Sequence, residues 1–262
     1  MSIRADNLTF SYRHEIVLKG ISFFVPDQTV LCILGPNGVG KSTLLKLLTG
    51  SLKAKSGLIE LDGKNIADYR ISTLAAHAAY IPQTSVPDFN YTVSEYVLMG
   101  QNRHIGLFAA PGKAKRREVS ELLCSLGIGH LCDSGIRQIS GGEFQLVKIA
   151  RALIQKSGTI FMDEPCAGLD PGNAELVLNL IRLLQKRGFG IVFTSHDPNH
   201  ALACASQVLT MQDGCVSSFG VPEAVITTKN MSALYHATVD VTQALVGGKV
   251  KSVCTILGGQ HE

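Results

Sequence analysis

Residues 30–48 read Val-Leu-Cys-Ile-Leu-Gly-Pro-Asn-Gly-Val-Gly-Lys-Ser-Thr-Leu-Leu-Lys-Leu-Leu, and this stretch decides the fold. The apolar run at 30–34 is typical of a buried strand, and the leucines at 44–48 follow helical spacing. Between them lies a glycine-rich loop with the pattern G-x-x-x-x-G-K-[ST], which binds phosphate when a strand precedes it and a helix follows it. The order of strand, loop and helix therefore predicts a nucleoside triphosphate site.

The loop offers three kinds of phosphate-binding group. Glycine lets backbone N–H groups close around phosphate oxygens without a Cβ clash, and the helix start adds unpaired donors and a positive dipole end. Lys41 can reach the β- and γ-phosphates, and the Ser42 hydroxyl can bind Mg²⁺. A glycine turn beside a surface lysine is the alternative, but both glycines, the Lys-Ser pair and both flanks are present. We expect ATP to be bound by Gly35, Pro36, Asn37, Gly38, Val39, Gly40, Lys41, Ser42 and Thr43.

Composition is that of an ordinary globular protein. The 262 residues, 45% apolar and 17% charged, suit one large domain or two small ones. A net charge of +3 is too small to argue for nucleic-acid binding. Seven cysteines without C-x-x-C spacing predict reduced thiols in a cytoplasm. The first residues lack the apolar segment of a signal peptide, and no run approaches the roughly 18 apolar residues that span a bilayer.

Strands and helices alternate along the chain. Residues 2–25 favour an antiparallel β layer, with Tyr12 in a polar turn between its strands. After the phosphate loop, apolar strand patterns recur between periodic helices, which predicts a mainly parallel sheet with helices on both faces. The expected fold class is α/β.

Two apolar strands end in polar side chains. Asp163 and Glu164 follow the run at 159–162, at the strand end where ligands gather in open α/β sheets. Adjacent residues point to opposite sides, so Asp163 suits the Mg²⁺ shell, through water, and Glu164 suits the attacking water. His196 ends the strand at 190–195 and could donate to the γ-phosphate and help hold Glu164. Ordinary strand-end turns are the alternative for all three.

Residues 196–200 read His-Asp-Pro-Asn-His and superficially resemble the zinc pattern H-E-x-x-H. Aspartate replaces the general-base glutamate, and Pro198 would disrupt a continuous helix between the histidines. We therefore reject a metalloprotease.

Ser140-Gly141-Gly142-Glu143 precedes a periodic helix. Ser-x-x-Glu is a capping box, which explains Ser140 and Glu143 without any function. Capping does not require the paired glycines, which would let a phosphate from a partner approach the helix start.

Together these motifs resemble the ATP-binding cassette (ABC) subunits, over residues 3 to about 225. The resemblance rests on Tyr12, the loop at 35–43, Gln83, I-S-G-G-E at 139–143, I-F-M-D-E at 160–164, A-G-L-D at 167–170 and His196. It implies an ATPase with a P-loop NTPase core, an N-terminal antiparallel β layer and an inserted α-helical subdomain. Departures are small: Ile139 stands for leucine, Glu143 for glutamine and Cys166 for threonine, and no essential motif is missing.

The resemblance also assigns roles. In that family the S-G-G motif completes the site of the opposite subunit, so a head-to-tail homodimer would use Ser140, Gly141, Gly142 and Glu143 in trans. Tyr12 would stack on adenine, Gln83 would serve catalysis, Mg²⁺ and coupling, and Asp170 would make contacts across the dimer. The implied cofactor is Mg²⁺ with ATP, held by Ser42, Gln83 and Asp163.

We expect a single domain over residues 1–262. Its nucleotide-binding core would comprise 1–84 and 159–226, its helical subdomain 85–158, and a C-terminal extension 227–262.

Residues 91–100, with His104 and Phe108-Ala109, resemble the importer subgroup for siderophore iron, haem, cobalamin or molybdate. That resemblance implies membrane permease subunits docking near residues 83–110, a separate substrate-binding protein, and a place on the cytoplasmic face of the cell membrane. The alternative is local packing of Val93, Val97 and Leu98, which would still leave apolar groups near Phe89 and Tyr91 for docking.

Two rival functions share these motifs. Mechanical ATPases of DNA repair or chromosome maintenance insert long coiled coils before the S-G-G motif. Here 97 positions separate Thr43 from Ser140, without sustained heptads, and no nucleic-acid partner is expected. A nucleotide-binding regulator without turnover is the other rival, and intact Glu164 and His196 argue against it.

Overall fold

The computed structural model describes residues 1–83, 89–104 and 112–257. Within them the strands are β1 (Ile3–Tyr12), β2 (Glu15–Val25), β3 (Val30–Leu34), β4 (Ser56–Leu61), β5 (Lys64–Asn65), β6 (Ala78–Ile81), β7 (Thr159–Met162), β8 (Gly190–Ser195), β9 (Gln207–Gln212), β10 (Cys215–Gly220), β11 (Val239–Val246) and β12 (Lys249–Ile256). The helices are α1 (Lys41–Leu48), α2 (Ile71–His77), α3 (Val93–Leu98), α4 (Lys113–Ser125), α5 (Gly141–Leu153), α6 (Pro171–Lys186), α7 (Pro198–Cys204), α8 (Pro222–Val225) and α9 (Thr228–Tyr235).

The central sheet has the order β10-β9-β3-β8-β7-β6 and is parallel except for β10. All five residues of β3 are buried. Val30, Cys32 and Leu34 face one hydrophobic core, while Leu31 and Ile33 face the other. A strand covered on both faces cannot alternate apolar with polar residues, which explains the continuous apolar run.

Each face of this sheet has its own cover. Helix α1 and an antiparallel sheet of order β2-β1-β4-β5 share one core. Helices α6, α7 and α9 share the other. The predicted N-terminal β layer and the mainly parallel sheet are thus both confirmed. Tyr12 is the last residue of β1, paired with Glu15, instead of lying in the turn itself.

Helices α3, α4 and α5 pack around a separate core that includes Val93, Val97 and Leu123. The predicted local packing is present, because Val93 and Val97 are fully buried and Leu98 nearly so. In the described part of the chain between Thr43 and Ser140, the longest helix is α4, with 13 residues. Such short helices cannot form the long coiled coil of the mechanical ATPases.

The chain continues beyond the central sheet with α9 and the β11–β12 hairpin, which turns at Gly247-Gly248. Met231, Val239 and Cys254 are buried in the core beneath β3 and β8. Among the described helices, every one is too short or too polar to cross a lipid bilayer.

Candidate functional site

The phosphate loop closes at the carboxyl end of β3, and its glycines are needed there. Gly38 and Gly40 have φ values of 82° and 104°, which side chains other than glycine rarely adopt. A Cβ on Gly35 would lie 2.5 Å from the carbonyl oxygen of Met211, so this backbone passes too close for a side chain. Gly40 then caps α1, with its carbonyl accepting from the Leu44 N–H at 2.9 Å.

Lys41 lies inside the loop and is only 5% exposed. Its Nζ donates to the carbonyl oxygens of Gly35 at 2.7 Å and Pro36 at 3.0 Å. The same Nζ lies 3.2 Å from Glu164 Oε1. The Lys41 ammonium group therefore lies between the phosphate loop and Glu164, which follows the end of β7.

Asp163 is buried and accepts hydrogen bonds from two hydroxyls. Ser42 Oγ lies 2.9 Å and Thr194 Oγ1 2.8 Å from Asp163 Oδ1. Tyr80 donates to Oδ2 over 3.4 Å. Burial and the nearby Asp163 carboxylate raise the pKa of the Tyr80 hydroxyl, which keeps it a donor. The structure thus brings together Ser42 and Asp163, the two residues that the sequence analysis assigns to Mg²⁺.

Glu164 has a φ of 48°, an uncommon left-handed conformation for a residue other than glycine. Its N–H donates to Thr194 Oγ1 at 2.7 Å. Its Oε2 lies 2.8 Å from His196 Nδ1, while Oε1 faces Lys41. Local strain of this kind clusters at functional sites, and here it coincides with a carboxylate that lies between Lys41 and His196.

Thr194 and Tyr80 are site residues that the sequence argument missed. Both lie in strands, Thr194 in β8 and Tyr80 in β6, where they read as ordinary strand residues. The available signal was the Thr194-Ser195 pair, two hydroxyls closing an otherwise apolar strand at the ligand-binding edge.

The oxygen ligands at Ser42 and Asp163 fit Mg²⁺. This hard cation prefers oxygen and is usually held by one or two carboxylates together with substrate phosphates and water. No cluster of three His, Cys, Asp or Glu residues suited to a metal occurs within residues 1–83, 89–104 and 112–257. Gln83 is exposed, and its backbone carbonyl accepts a hydrogen bond from Lys148 Nζ at 3.5 Å.

Ser140 and Glu143 form the predicted capping box at the start of α5. The Ser140 N–H and hydroxyl donate to Glu143 Oε2 at 2.7 and 2.8 Å, and these bonds lower the pKa of Glu143. A Cβ on Gly142 would lie 2.4 Å from Asn173 Cγ, so packing within the chain explains this glycine. A Cβ on Gly141 would meet no atom within 4 Å, so of these two glycines Gly141 is the one that packing within the chain does not explain.

Asp170 caps α6 through its bond from the Asn173 N–H at 3.0 Å, which lowers the pKa of the carboxyl. Both Asp170 and Ser140 are exposed. Among the described residues, no hydrogen bond joins either of them to Lys41, Asp163 or Glu164. The candidate site residues therefore form two separate groups. One surrounds the phosphate loop, and the other lies at the starts of α5 and α6.

Tyr12 belongs to neither group. Its ring is 44% exposed and lies edge-on to Phe10, with 4.8 Å between centroids. A cavity of about 500 Å³ lies beside the phosphate loop, between Val17, Asn37 and His236.

His200 packs behind the loop that carries His196. Its Nδ1 lies 3.0 Å from Ser195 Oγ, and its Nε2 lies 3.7 Å from Asp197 Oδ2. Burial lowers the pKa of His200 and outweighs the opposing effect of Asp197.

Comparison with known proteins gives this geometry a family. A family model described as ABC transporter matches residues 18–167, more than half of the chain. The chain belongs to the ABC transporter family. It carries that family's ATPase domain, and the predicted P-loop fold is confirmed.

The ABC ATPase is similar to import proteins along its length. It is 35% identical to a Helicobacter pylori protein named "Probable iron chelatin transport ATP-binding protein", over 92% of this chain and 95% of the relative. It is 34% identical to the hemin import ATP-binding protein HmuV of Escherichia coli O157:H7, over 91% and 94%. Among solved structures, a metal-chelate type ABC transporter in an inward-facing conformation is similar, with a TM-score of 0.87 and 31% identity over 98% and 97% of the two chains.

Proposed function

We propose that the chain is the ATP-hydrolysing subunit of an ABC importer for a metal chelate, such as siderophore iron, haem or cobalamin, or for an oxyanion such as molybdate. It would act as a head-to-tail homodimer on separate membrane permease subunits, supplied by a separate substrate-binding protein. The observation that carries this proposal is the full-length similarity to a metal-chelate type transporter. Relatives named for iron chelatin transport, hemin import and molybdate import support it.

ATP would bind with its phosphates in the loop at 35–43. Lys41 would exchange the Gly35 and Pro36 carbonyls for phosphate oxygens, since a cation gains more from an anion than from a neutral carbonyl. The exposed ring of Tyr12 would stack on adenine.

Hydrolysis would use Glu164 to activate or position the attacking water. Because His196 faces Glu164 through Nδ1, its Nε2 is the ring nitrogen left to contact the γ-phosphate. His196 would thus position the Glu164 carboxylate through Nδ1 and contact the terminal phosphate through Nε2.

Mg²⁺ would be held by Ser42 and Gln83, with Asp163 acting through water. When bound, the ion neutralises charge on the β- and γ-phosphates. Ser42 Oγ lies 2.9 Å from Asp163 Oδ1, so the two residues are close enough to serve the same ion.

The second copy would complete each site with Ser140, Gly141, Gly142 and Glu143, while Asp170 would contact it across the interface. The open space beside Gly141 and the exposure of Ser140 support an approach at this helix start. The start of α5 offers unpaired N–H groups and a positive dipole end to a γ-phosphate.

The permease would dock near residues 83–110. A cavity of about 510 Å³ supports this location, and it is lined by Tyr80, Pro82, Tyr96, Lys148 and Arg151. Lys148 also contacts the Gln83 carbonyl, which ties the cavity to a residue of the proposed ATP site. Phe89 lies within this part of the sequence, and its side chain is 71% exposed. Residues 84–88 and 105–110, including Phe108 and Ala109, lie outside the described residues.

The division into a core of 1–84 and 159–226, a helical subdomain of 85–158 and an extension of 227–262 remains part of this proposal. The separate core of α3, α4 and α5 supports the subdomain. Docking onto a permease would put the chain on the cytoplasmic face of the membrane.

Deletion of the gene, with complementation by the wild type or by Glu164→Gln, tests the function. Uptake of labelled siderophore iron, haem, cobalamin and molybdate is measured in each strain. We expect one of the four uptakes to be lost on deletion and restored by the wild type alone. Unchanged uptake of all four compounds would overturn the proposal.

A further inference from the structure

The C-terminal extension reaches the loop of His196 directly. Tyr235, the last residue of α9, donates from its hydroxyl to the His196 carbonyl oxygen at 2.8 Å. Burial raises the pKa of this hydroxyl, so it stays protonated and remains a donor. The Tyr235 ring packs against the core beneath β3 and β8, which fixes the hydroxyl from behind.

A second contact lies three residues later, in the first turn of α7. Asn199 Nδ2 donates to the Cys254 carbonyl at 2.9 Å, and the Cys254 N–H donates to Asn199 Oδ1 at 2.9 Å. The two backbone groups that the Asn199 side chain contacts therefore both belong to Cys254, in β12. The segment from His196 to Asn199 is held at each end by residues that follow the nucleotide-binding core.

The imidazole of His196 is half exposed. The side chain is 51% exposed, and in the described structure its ring makes one hydrogen bond, to Glu164 Oε2. The position of the ring therefore depends on where the backbone is fixed. Catalytic groups lose effect steeply with misplacement, by about 10²-fold for a shift of 1 Å.

We propose that Tyr235 is a positioning residue for ATP hydrolysis: its hydroxyl fixes the His196 carbonyl and thereby sets the imidazole against Glu164. The Asn199–Cys254 hydrogen bonds are the second contact between the extension and the segment from His196 to Asn199. The inference rests on the proposed role of His196 and adds a role for residues 227–257, which the family motifs do not reach. A purely structural tyrosine would contribute to stability without affecting kcat.

Tyr235→Phe separates these two roles, because it keeps the ring and removes the hydroxyl. We expect kcat of the full-length chain to fall about fivefold, the rate effect of one neutral hydrogen bond, with KM for ATP within about twofold of wild type. Tyr69→Phe is the matched control, since the Tyr69 hydroxyl also donates to a backbone carbonyl, that of Leu61 at 3.0 Å, away from the site. Both variants should lower the melting temperature by about 2–4 °C, and only Tyr235→Phe should lower kcat.

A double-mutant cycle with His196→Ala gives the decisive readout. Without the imidazole there is nothing to position, so Tyr235→Phe should leave single-turnover hydrolysis of the His196→Ala chain unchanged. Asn199→Ala is a second variant and should lower kcat in the wild-type background in the same direction.

The failures are distinguishable. If His196→Ala hydrolyses ATP like the wild type, the proposed role of His196 is wrong. If His196→Ala is impaired but Tyr235→Phe is not, or if Tyr235→Phe lowers kcat equally in both backgrounds, Tyr235 does not position the histidine.

Discussion

Lys41 Nζ lies 3.2 Å from Glu164 Oε1, and the side chains of both residues are less than a tenth exposed. The cation proposed to bind phosphate is thus paired with the carboxylate proposed to act on water. Burial makes this pair sensitive to the loss of either partner, because the remaining charge would be uncompensated. In the proposed site, nucleotide phosphates would compete with Glu164 for Lys41.

Glu164→Gln should slow hydrolysis by about 10² or more while strengthening ATP binding, since a neutral amide competes less for Lys41 than a carboxylate does. Single-turnover hydrolysis and fluorescent-nucleotide titration measure the two effects. Glu175→Gln is the control, since Glu175 makes an exposed ion pair with Arg182 on α6. A Glu164→Gln chain with wild-type turnover would show that Glu164 is misassigned.

Mixing two inactive variants tests the shared site. Lys41→Ala removes the phosphate-binding cation and Ser140→Ala the hydroxyl offered to the partner, so each homodimer should hydrolyse ATP poorly. A mixed dimer unites the intact loop of one chain with the intact Ser140 of the other, and should recover part of the activity. Full activity of either variant alone would show that the substituted residue is dispensable, and an absence of recovery on mixing would rule out the trans arrangement.

Thr194→Val should disturb both carboxylates, because this hydroxyl donates to Asp163 and accepts from the Glu164 N–H. We expect kcat to fall and the free energy of unfolding to drop by about 1–3 kcal/mol, the cost of leaving buried polar groups unsatisfied. Thr210→Val is a matched control, since Thr210 is also buried and bonded, to Ser217 and to the Ser218 carbonyl. Equal kcat values for the two variants would contradict a role for Thr194 in the site.

Stability should fall below neutral pH through His200. Burial lowers its folded pKa below the unfolded value of about 6.5, so the unfolded chain binds more protons between the two values. This contribution is complete above about pH 6.5 and is lost as the pH falls through the folded pKa. Urea midpoints at pH 7.5 and 5.5 should differ less for His200→Gln than for the wild type, and the exposed His14 provides the control, His14→Gln.

Much of the fold followed from the sequence, because periodicity and glycine patterns act locally. The loop at 35–43 and the cap at Ser140 are set by near neighbours along the chain, and both occur as predicted. The meeting of Ser42 with Asp163 was also predictable, because parallel strands end at one edge.

The missed features depend on contacts between distant segments. Thr194 reaches Asp163 from the neighbouring strand β8, and Tyr235 reaches His196 from a helix outside the core motifs. Nothing near these residues in the sequence marks the contact. The turned-back Glu164 was likewise unpredictable, because its left-handed backbone is imposed by the surroundings and not by its own preference.

The central position of β3 has a consequence for synthesis. Its neighbours are β8 and β9, so the strand that supports the phosphate loop has no partner until the ribosome has delivered Gly190–Ser195 and Gln207–Gln212. Such distant pairing is slow to form. A nascent chain that stops before β8 should therefore carry the complete loop and still fail to retain ATP.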